Sequence, residues 1–106
     1  MTAKRRPLDY RALREKISPR DVLDMFGVYY RVSTYGQGHG PCPVHGSSSD
    51  KSRSFRFNAE VWYCGGCKKT GDAVALYAAL TGRTTIDAAY ELCDRLGVDI
   101  PYLERR

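Results

Sequence analysis

The sequence contains no apolar run of the roughly 20 residues that a transmembrane helix requires, which excludes a helical membrane protein. Its first ten residues, MTAKRRPLDY, carry no apolar stretch behind the charges, so no secretory signal peptide is predicted. Internal repeats and low-complexity tracts are also missing. We therefore expect a cytoplasmic protein, in a reducing compartment where cysteines bind metals more often than they form disulfides.

Recognisable catalytic patterns are absent as well. No Ser–His pair or paired carboxylates can be assigned from spacing, and no acidic cluster of the kind that binds catalytic metal ions is found. With 106 residues, the chain is expected to form one small domain with a limited core, which a bound metal would help to stabilise. The sequence therefore predicts a binding module that is not an enzyme by itself.

Charge is unevenly distributed along the chain, although the net charge is only +5. Residues 28–71 are mainly basic, whereas residues 72–104 are mainly acidic. The basic side chains of the middle segment are Arg31, Lys51, Arg53, Arg56, Lys68 and Lys69. A basic segment can contact phosphates, but it can equally be a solvated surface, so charge alone does not establish nucleic-acid binding.

Two closely spaced pairs of potential metal ligands are the strongest signal in the sequence. Cys42-Pro-Val-His45 is followed, after a loop, by Cys64-Gly-Gly-Cys67. Thiolate sulfur and imidazole nitrogen suit zinc, and four protein ligands complete a tetrahedral site. We therefore predict one structural zinc ion with no open coordination position.

The cysteines and histidines of this chain also have other interpretations. The second pair could be a redox dithiol, but no βαβ pattern surrounds it. His39 could compete with His45 as a ligand, although the spacing of Cys42 and His45 mirrors that of the second pair. Cys93 falls on the apolar stripe of a predicted helix and is expected to be a buried thiol that does not bind the metal.

Capping residues and changes of hydrophobic period predict the order of elements. Asp9 and Ser18-Pro19 are expected to begin two short helices, the first ending near Lys16 and the second at Gly27. Strands are expected at residues 28–33, at the end of 35–40, at 54–57 and at 61–63. After the second ligand pair, helices are predicted at 73–80 and after Thr84, the latter with an apolar face of Ile86, Ala89, Tyr90, Cys93 and Leu96.

From about residue 9 to 98, the sequence resembles the zinc-binding domain of bacterial and phage DNA primases, the CHC2-type zinc finger. The resemblance rests on four motifs in the family's order. They are Cys42-Pro43-Val44-His45, Lys51-Ser52-Arg53-Ser54-Phe55, Trp62-Tyr63-Cys64-Gly65-Gly66-Cys67 and Gly71-Asp72-Ala73. The departures are a longer loop at 47–49, Arg53 where proline is usual and Gly65 where an aromatic residue is frequent.

The resemblance implies an α+β fold, a small zinc ribbon whose antiparallel sheet of about four to five short strands is flanked by helices. Residues 1–7 would form a flexible basic arm and 8–106 the single domain. In the family, this domain binds single-stranded template DNA and helps to set where primer synthesis begins. Cations among aromatic residues suit that role, and the predicted DNA contacts are Lys51, Arg53, Arg56, Trp62, Tyr63, Lys68 and Lys69.

The sequence is therefore compatible with two functions. The first is a DNA-binding module of a replication primase, with a primase core, polymerase or helicase as its protein partner. The second is a zinc-stabilised adaptor that docks such a partner and has little DNA affinity of its own. The basic middle segment suits the first function, and the acidic C-terminal helices suit the second.

Overall fold

The computed structural model describes residues 7–44, 55–66 and 68–103. Within these ranges the chain forms four helices and a five-stranded sheet. The helices are α1 (Tyr10–Lys16), α2 (Pro19–Met25), α3 (Ala73–Thr81) and α4 (Thr85–Leu96). The strands are β1 (Arg31–Val32), β2 (Gly38–Gly40), β3 (Phe55–Phe57), β4 (Trp62–Cys64) and β5 (Lys69–Gly71). The predicted α+β class is confirmed.

Each helix begins at a side chain that accepts a hydrogen bond from the first turn. Asp9 caps α1 and Thr84 caps α4, while Ser18 and Asp21 form a reciprocal capping box at α2. Asp72 caps α3 by accepting from the amide of Ala75 at 2.9 Å. These bonds satisfy amides that have no partner within the helix, so the local sequence sets where each helix begins.

The five strands lie in sequence order and every neighbouring pair is antiparallel. Because successive side chains of a strand point to opposite faces, the sheet has one buried and one exposed side. Phe55 and Phe57 of β3 are buried and Arg56 between them is exposed. Trp62 and Cys64 of β4 are likewise buried on either side of exposed Tyr63.

Two glycines make room for the large rings on the buried face of the sheet. A Cβ atom at Gly38 would lie only 2.0 Å from the Phe57 ring, so that ring covers the glycine directly. A Cβ atom at Gly71 would lie 2.6 Å from the Ala75 side chain, beside the Trp62 ring. The absence of side chains at these positions lets β3 and β4 pack closely against their surroundings.

The core joins the buried face of the sheet to the helices in one cluster. Its largest fully buried side chains include Tyr77, Phe55, Leu13, Ile17 and Leu23. Beside it, the beginning and end of the described chain pair with each other. Leu8 and Tyr102 form an isolated β-bridge, and the amide of Leu103 donates to Pro7 O at 2.9 Å, although Pro7 was predicted to belong to the basic arm. The rest of that arm, residues 1–6, lies outside the described residues.

Three details of the predicted secondary structure were wrong. The strand expected at 28–33 is reduced to β1, and no strand was predicted where β5 lies. The buried residues of α4 are Ala88, Ala89, Leu92 and Cys93, whereas Ile86 and Leu96 are exposed. None of the helices within the described ranges is long and apolar enough to span a membrane.

Candidate metal centre and nucleic-acid interface

The sheet brings one cysteine of each predicted ligand pair to the same end of the domain. Gly40, two residues before Cys42, pairs with Phe55, and Phe55 pairs with Cys64 on its other side. The C-terminal ends of β2 and β4 therefore lie at the same end of the sheet. The side chains of Cys42 and Cys64 are 1% and 0% exposed. Both predicted ligands are thus buried beside the end of the same sheet.

A tight turn follows Cys64 and leads the chain into β5. The amide of Lys68 donates to Cys64 O at 2.7 Å, and Lys68 has a positive φ of 58°. A left-handed conformation is uncommon for a residue with a side chain, so the backbone here is closely constrained. β5 then pairs Lys69 with Cys64. The backbone after Cys64 is therefore held in a compact turn.

The described part of the metal site fits zinc by the chemistry of its donors. Buried cysteine sulfur atoms are suitable ligands for zinc. Among the described residues, no group of three or more His, Cys, Asp or Glu side chains could hold a metal ion. His45 and Cys67 lie outside those residues, so the predicted set of four is only half described.

His39 and Cys93 were the other candidates for the metal. His39 pairs with Arg56, which lies on the exposed face of the sheet, whereas Cys64 lies on the buried face. Cys93 is buried in α4, and this burial raises the pKa of its thiol. A thiol with a raised pKa stays protonated at neutral pH, which suits a packing role rather than a ligand role.

Five side chains form a row across the exposed face of the sheet, one from each strand. Strand pairing aligns Arg31 with His39, His39 with Arg56, Arg56 with Tyr63, and Tyr63 with Thr70. We call this the open-face row. Arg31, Arg56 and Tyr63 in it are exposed, the last to 49%. Two arginines, a histidine and a tyrosine thus lie side by side on one face.

Two further features adjoin the open-face row. Arg31 Nε donates to the hydroxyl of Tyr29 at 2.8 Å, which adds a second exposed tyrosine beside β1. Gln37, Gly38, His39 and Arg56 line a recess of about 200 Å³. The open face therefore offers cations, exposed tyrosines and hydrogen-bonding side chains together.

The predicted DNA contacts separate into groups in the structure. Arg56 and Tyr63 lie together in the open-face row. Lys69 pairs with Cys64 and Lys68 lies in the preceding turn, so both lie at the end of the sheet where Cys64 is buried. Lys51 and Arg53 lie outside the described residues.

Trp62 was also predicted to contact DNA, and the structure corrects this. Its side chain is only 2% exposed, and its ring stacks on Phe55 with centroids 5.6 Å apart. Its Nε1 donates to Asp72 O at 2.9 Å. Because the ring is buried and packed on Phe55, it has no free surface on which a base could stack. Trp62 therefore belongs to the core.

Sequence reasoning missed Arg31, His39 and Thr70 as members of the exposed row. Arg31 was noted only as one charge of the basic segment, and β5 was not predicted as a strand. Alternation with Tyr30 and Val32 could have placed Arg31 on the face away from the core. Its alignment with Arg56, however, depends on the register of β1, β2 and β3, which the sequence does not reveal.

Comparison with known proteins establishes the family. The family model for the CHC2 zinc finger matches residues 9–106. The chain is 33% identical over 102 residues to a DNA primase of Rickettsia bellii, covering 94% of this chain and 16% of that protein. It is 32% identical over 96 residues to a DNA primase of Lactococcus lactis, covering 88% of this chain and 15% of that protein. This chain belongs to the CHC2 zinc finger family.

A solved structure shows the same fold. It is the crystal structure of the Aquifex aeolicus primase comprising the zinc-binding and RNA polymerase domains, with a TM-score of 0.69 and 24% sequence identity. The match covers 84% of this chain and 21% of that one. This chain thus spans about a sixth of the length of the curated primases that it matches.

Proposed function

We propose that this chain is a zinc-stabilised module that binds single-stranded template DNA during replication primer synthesis. The observation that carries the proposal is the open-face row, in which Arg31, Arg56 and Tyr63 are exposed side by side on a sheet. No acidic residue stands in that row. The membership of this chain in the CHC2 zinc finger family supports the same role.

The shape of the open face suits a single strand. Five strands at about 4.8 Å spacing present a row about 19 Å across. Bases can stack on exposed aromatic rings regardless of sequence, and arginine side chains can hold the phosphates between them. Tyr63 would supply the ring, with Arg31 and Arg56 supplying charge on either side of His39.

Zinc would be held by Cys42, His45, Cys64 and Cys67 as one structural ion. When bound, it would join the loop after β2 to the turn after β4 and leave no coordination position for a substrate. Three thiolates with a neutral imidazole give such a site a charge of about −1. Lys68 and Lys69, at the same end of the sheet, offset part of that charge and remain candidates for a phosphate contact.

The chain would act with other proteins and not as an enzyme by itself. Because it corresponds to about a sixth of the matched primases, nucleotide transfer is assigned to a primase core or polymerase that works with it, and a helicase is a further candidate partner. A cytoplasmic location is proposed with it, since thiolate ligands are preserved in a reducing compartment.

The adaptor function has one observation in its favour. A groove of about 420 Å³ between α2 and α4 is lined by Asp21, Asp24, Met25, Arg95 and Leu96. It lies on the helices, whereas the open-face row lies on the sheet. A partner docked on the helices would leave the DNA face accessible, so protein docking and DNA binding are compatible in one domain.

The proposal is tested with zinc-loaded protein and a fluorescently labelled single strand. Anisotropy should show binding that weakens with salt, with a slope of about −0.7 in log affinity against log salt for each phosphate contact. Duplex DNA of the same length should bind more weakly, and a chelator should abolish binding with loss of the fold. Undetectable binding at low salt, by protein with its full zinc content, would favour the adaptor function.

A further inference from the structure

The recess beside His39 has the form of a site for one chemical group. Gln37 lines it from the turn before β2, and His39 lines it from β2 itself. Arg56 lies directly opposite His39 on β3. Gly38 forms its floor with main-chain atoms only, and the Phe57 ring closes the other side of that glycine. The floor therefore rests on the core.

The size of the recess limits what it can hold. Its volume of about 200 Å³ is below the roughly 300–1,000 Å³ of pockets that enclose drug-sized ligands. A whole nucleotide would not be enclosed, but a single base edge or a single phosphate would fit. Its position next to Tyr63, across β3 and β4, would let the same strand stack one base and insert the next.

We propose that this recess recognises the edge of one guanine base in the bound strand, with Arg56 as the residue that determines specificity. This inference rests on the proposed binding of single-stranded DNA. Guanine presents two neighbouring acceptors, O6 and N7, and the rigid fork of an arginine pairs with both. Adenine instead presents its N6 amino group beside N7, and this donor would face the donors of the guanidinium group.

The neighbouring side chains complete the recognition. Gln37 carries an amide donor and acceptor and His39 carries two ring nitrogens, so both can bond to the remaining polar atoms of the base. In a single strand these edges are not occupied by base pairing and are open to side chains. Arg31 lies in the same row but outside the recess and donates to Tyr29, and it would contact a phosphate of the bound strand.

The test compares thymidine oligonucleotides that differ only in one central position. Wild-type protein should bind the strand containing one dG about tenfold more tightly than the strand containing dT alone. Replacing that dG by 7-deazaguanine, which lacks the N7 acceptor, should remove the preference. Arg56→Lys, which keeps the charge but not the fork, should remove the preference, so that this variant binds the two strands equally.

Arg31→Lys is the matched control, because it makes the same change in the same row outside the recess. It should keep the preference for dG. Equal binding of both strands by the wild type, or a preference that survives Arg56→Lys, would overturn the inference while leaving DNA binding intact. Absence of binding to either strand would overturn the proposed function together with the inference. Zinc content and circular dichroism establish that each variant is folded.

Discussion

Arg56 lies directly opposite Tyr63 across β3 and β4, on the face of the sheet that the helices do not cover. Directly opposed residues of an antiparallel pair have Cβ atoms about 4.5–5.5 Å apart, so a cation and an aromatic ring are close neighbours here. The residues that flank them on each strand, Phe55, Phe57, Trp62 and Cys64, are buried. The core therefore fixes the position of the pair that we propose meets DNA.

The ring of Tyr63 should contribute to DNA binding by stacking. Tyr63→Ala is expected to weaken binding of a single strand by about 1–3 kcal/mol, the usual value for one stacked base. Tyr63→Phe keeps the ring and should bind within about twofold of the wild type. Titration by anisotropy at fixed salt measures both. Equal losses in the two variants would mean that the hydroxyl, and not the ring surface, makes the contact.

Gly38 should tolerate no side chain because the Phe57 ring occupies the space. An alanine Cβ would lie 2.0–2.5 Å from three atoms of that ring, so Gly38→Ala is expected to destabilise the domain by about 1–3 kcal/mol. For a domain of this size, each kcal/mol corresponds to about 4–8 °C in Tm. Thermal unfolding in excess zinc measures the change.

A second substitution tests the cause of that loss. Phe57→Leu shortens the ring side chain, so in the double variant Gly38→Ala should cost less than it does alone. A cost that is unchanged in the Phe57→Leu background would show that the glycine is required for another reason.

Two of the buried cysteines, Cys64 and Cys93, should behave differently when they are replaced. Cys64→Ser is expected to lose zinc and much of the fold, because metal binding and folding are coupled in small zinc domains. Cys93→Ala should keep one zinc per chain and lose about 1 kcal/mol of packing stability. Metal analysis of purified protein, with circular dichroism, distinguishes them. Loss of zinc from the Cys93 variant would mean that the predicted ligand set is wrong.

The chain by itself should synthesise no primer. A zinc ion with four protein ligands has no position for a nucleotide phosphate, and the sequence shows no acidic cluster to bind the two metal ions that such transfer uses. Purified protein incubated with template, nucleotides and magnesium should yield no extended product on a denaturing gel. Primer synthesis by this chain, free of contaminating polymerase, would contradict its assignment as a binding module.

Much of the fold was predictable because its signals are local. Asp9, Ser18 and Thr84 are capping residues, and each begins a helix where the sequence placed it. A strand was predicted at 54–57, and Phe55-Arg56-Phe57 alternates there between buried and exposed with the period of two that is typical of strands. β5 was missed because Lys69, Thr70 and Gly71 show no apolar alternation. They form a strand only because they pair with β4.

The candidate site was less predictable, since it depends on register and burial. Trp62 and Tyr63 are adjacent aromatic residues, and the sequence could not decide which of them faces the core. Arg31 and Arg56 are far apart in the chain, yet the pairings of β2 place both on either side of His39. Such alignments arise from strand register and tertiary packing. The sequence therefore identified the cations as candidate phosphate contacts but not their arrangement.

Charge reversal at Arg56, measured by affinity for a labelled single strand, tests the central claim most directly. Arg11, an exposed residue of α1, gives a control with the same change in net charge away from the sheet. We predict that Arg56→Glu weakens binding at least tenfold while zinc content and helicity are unchanged, and that Arg11→Glu binds within about threefold of the wild type. Equal affinities for Arg56→Glu, Arg11→Glu and the wild type would contradict DNA binding by the open face.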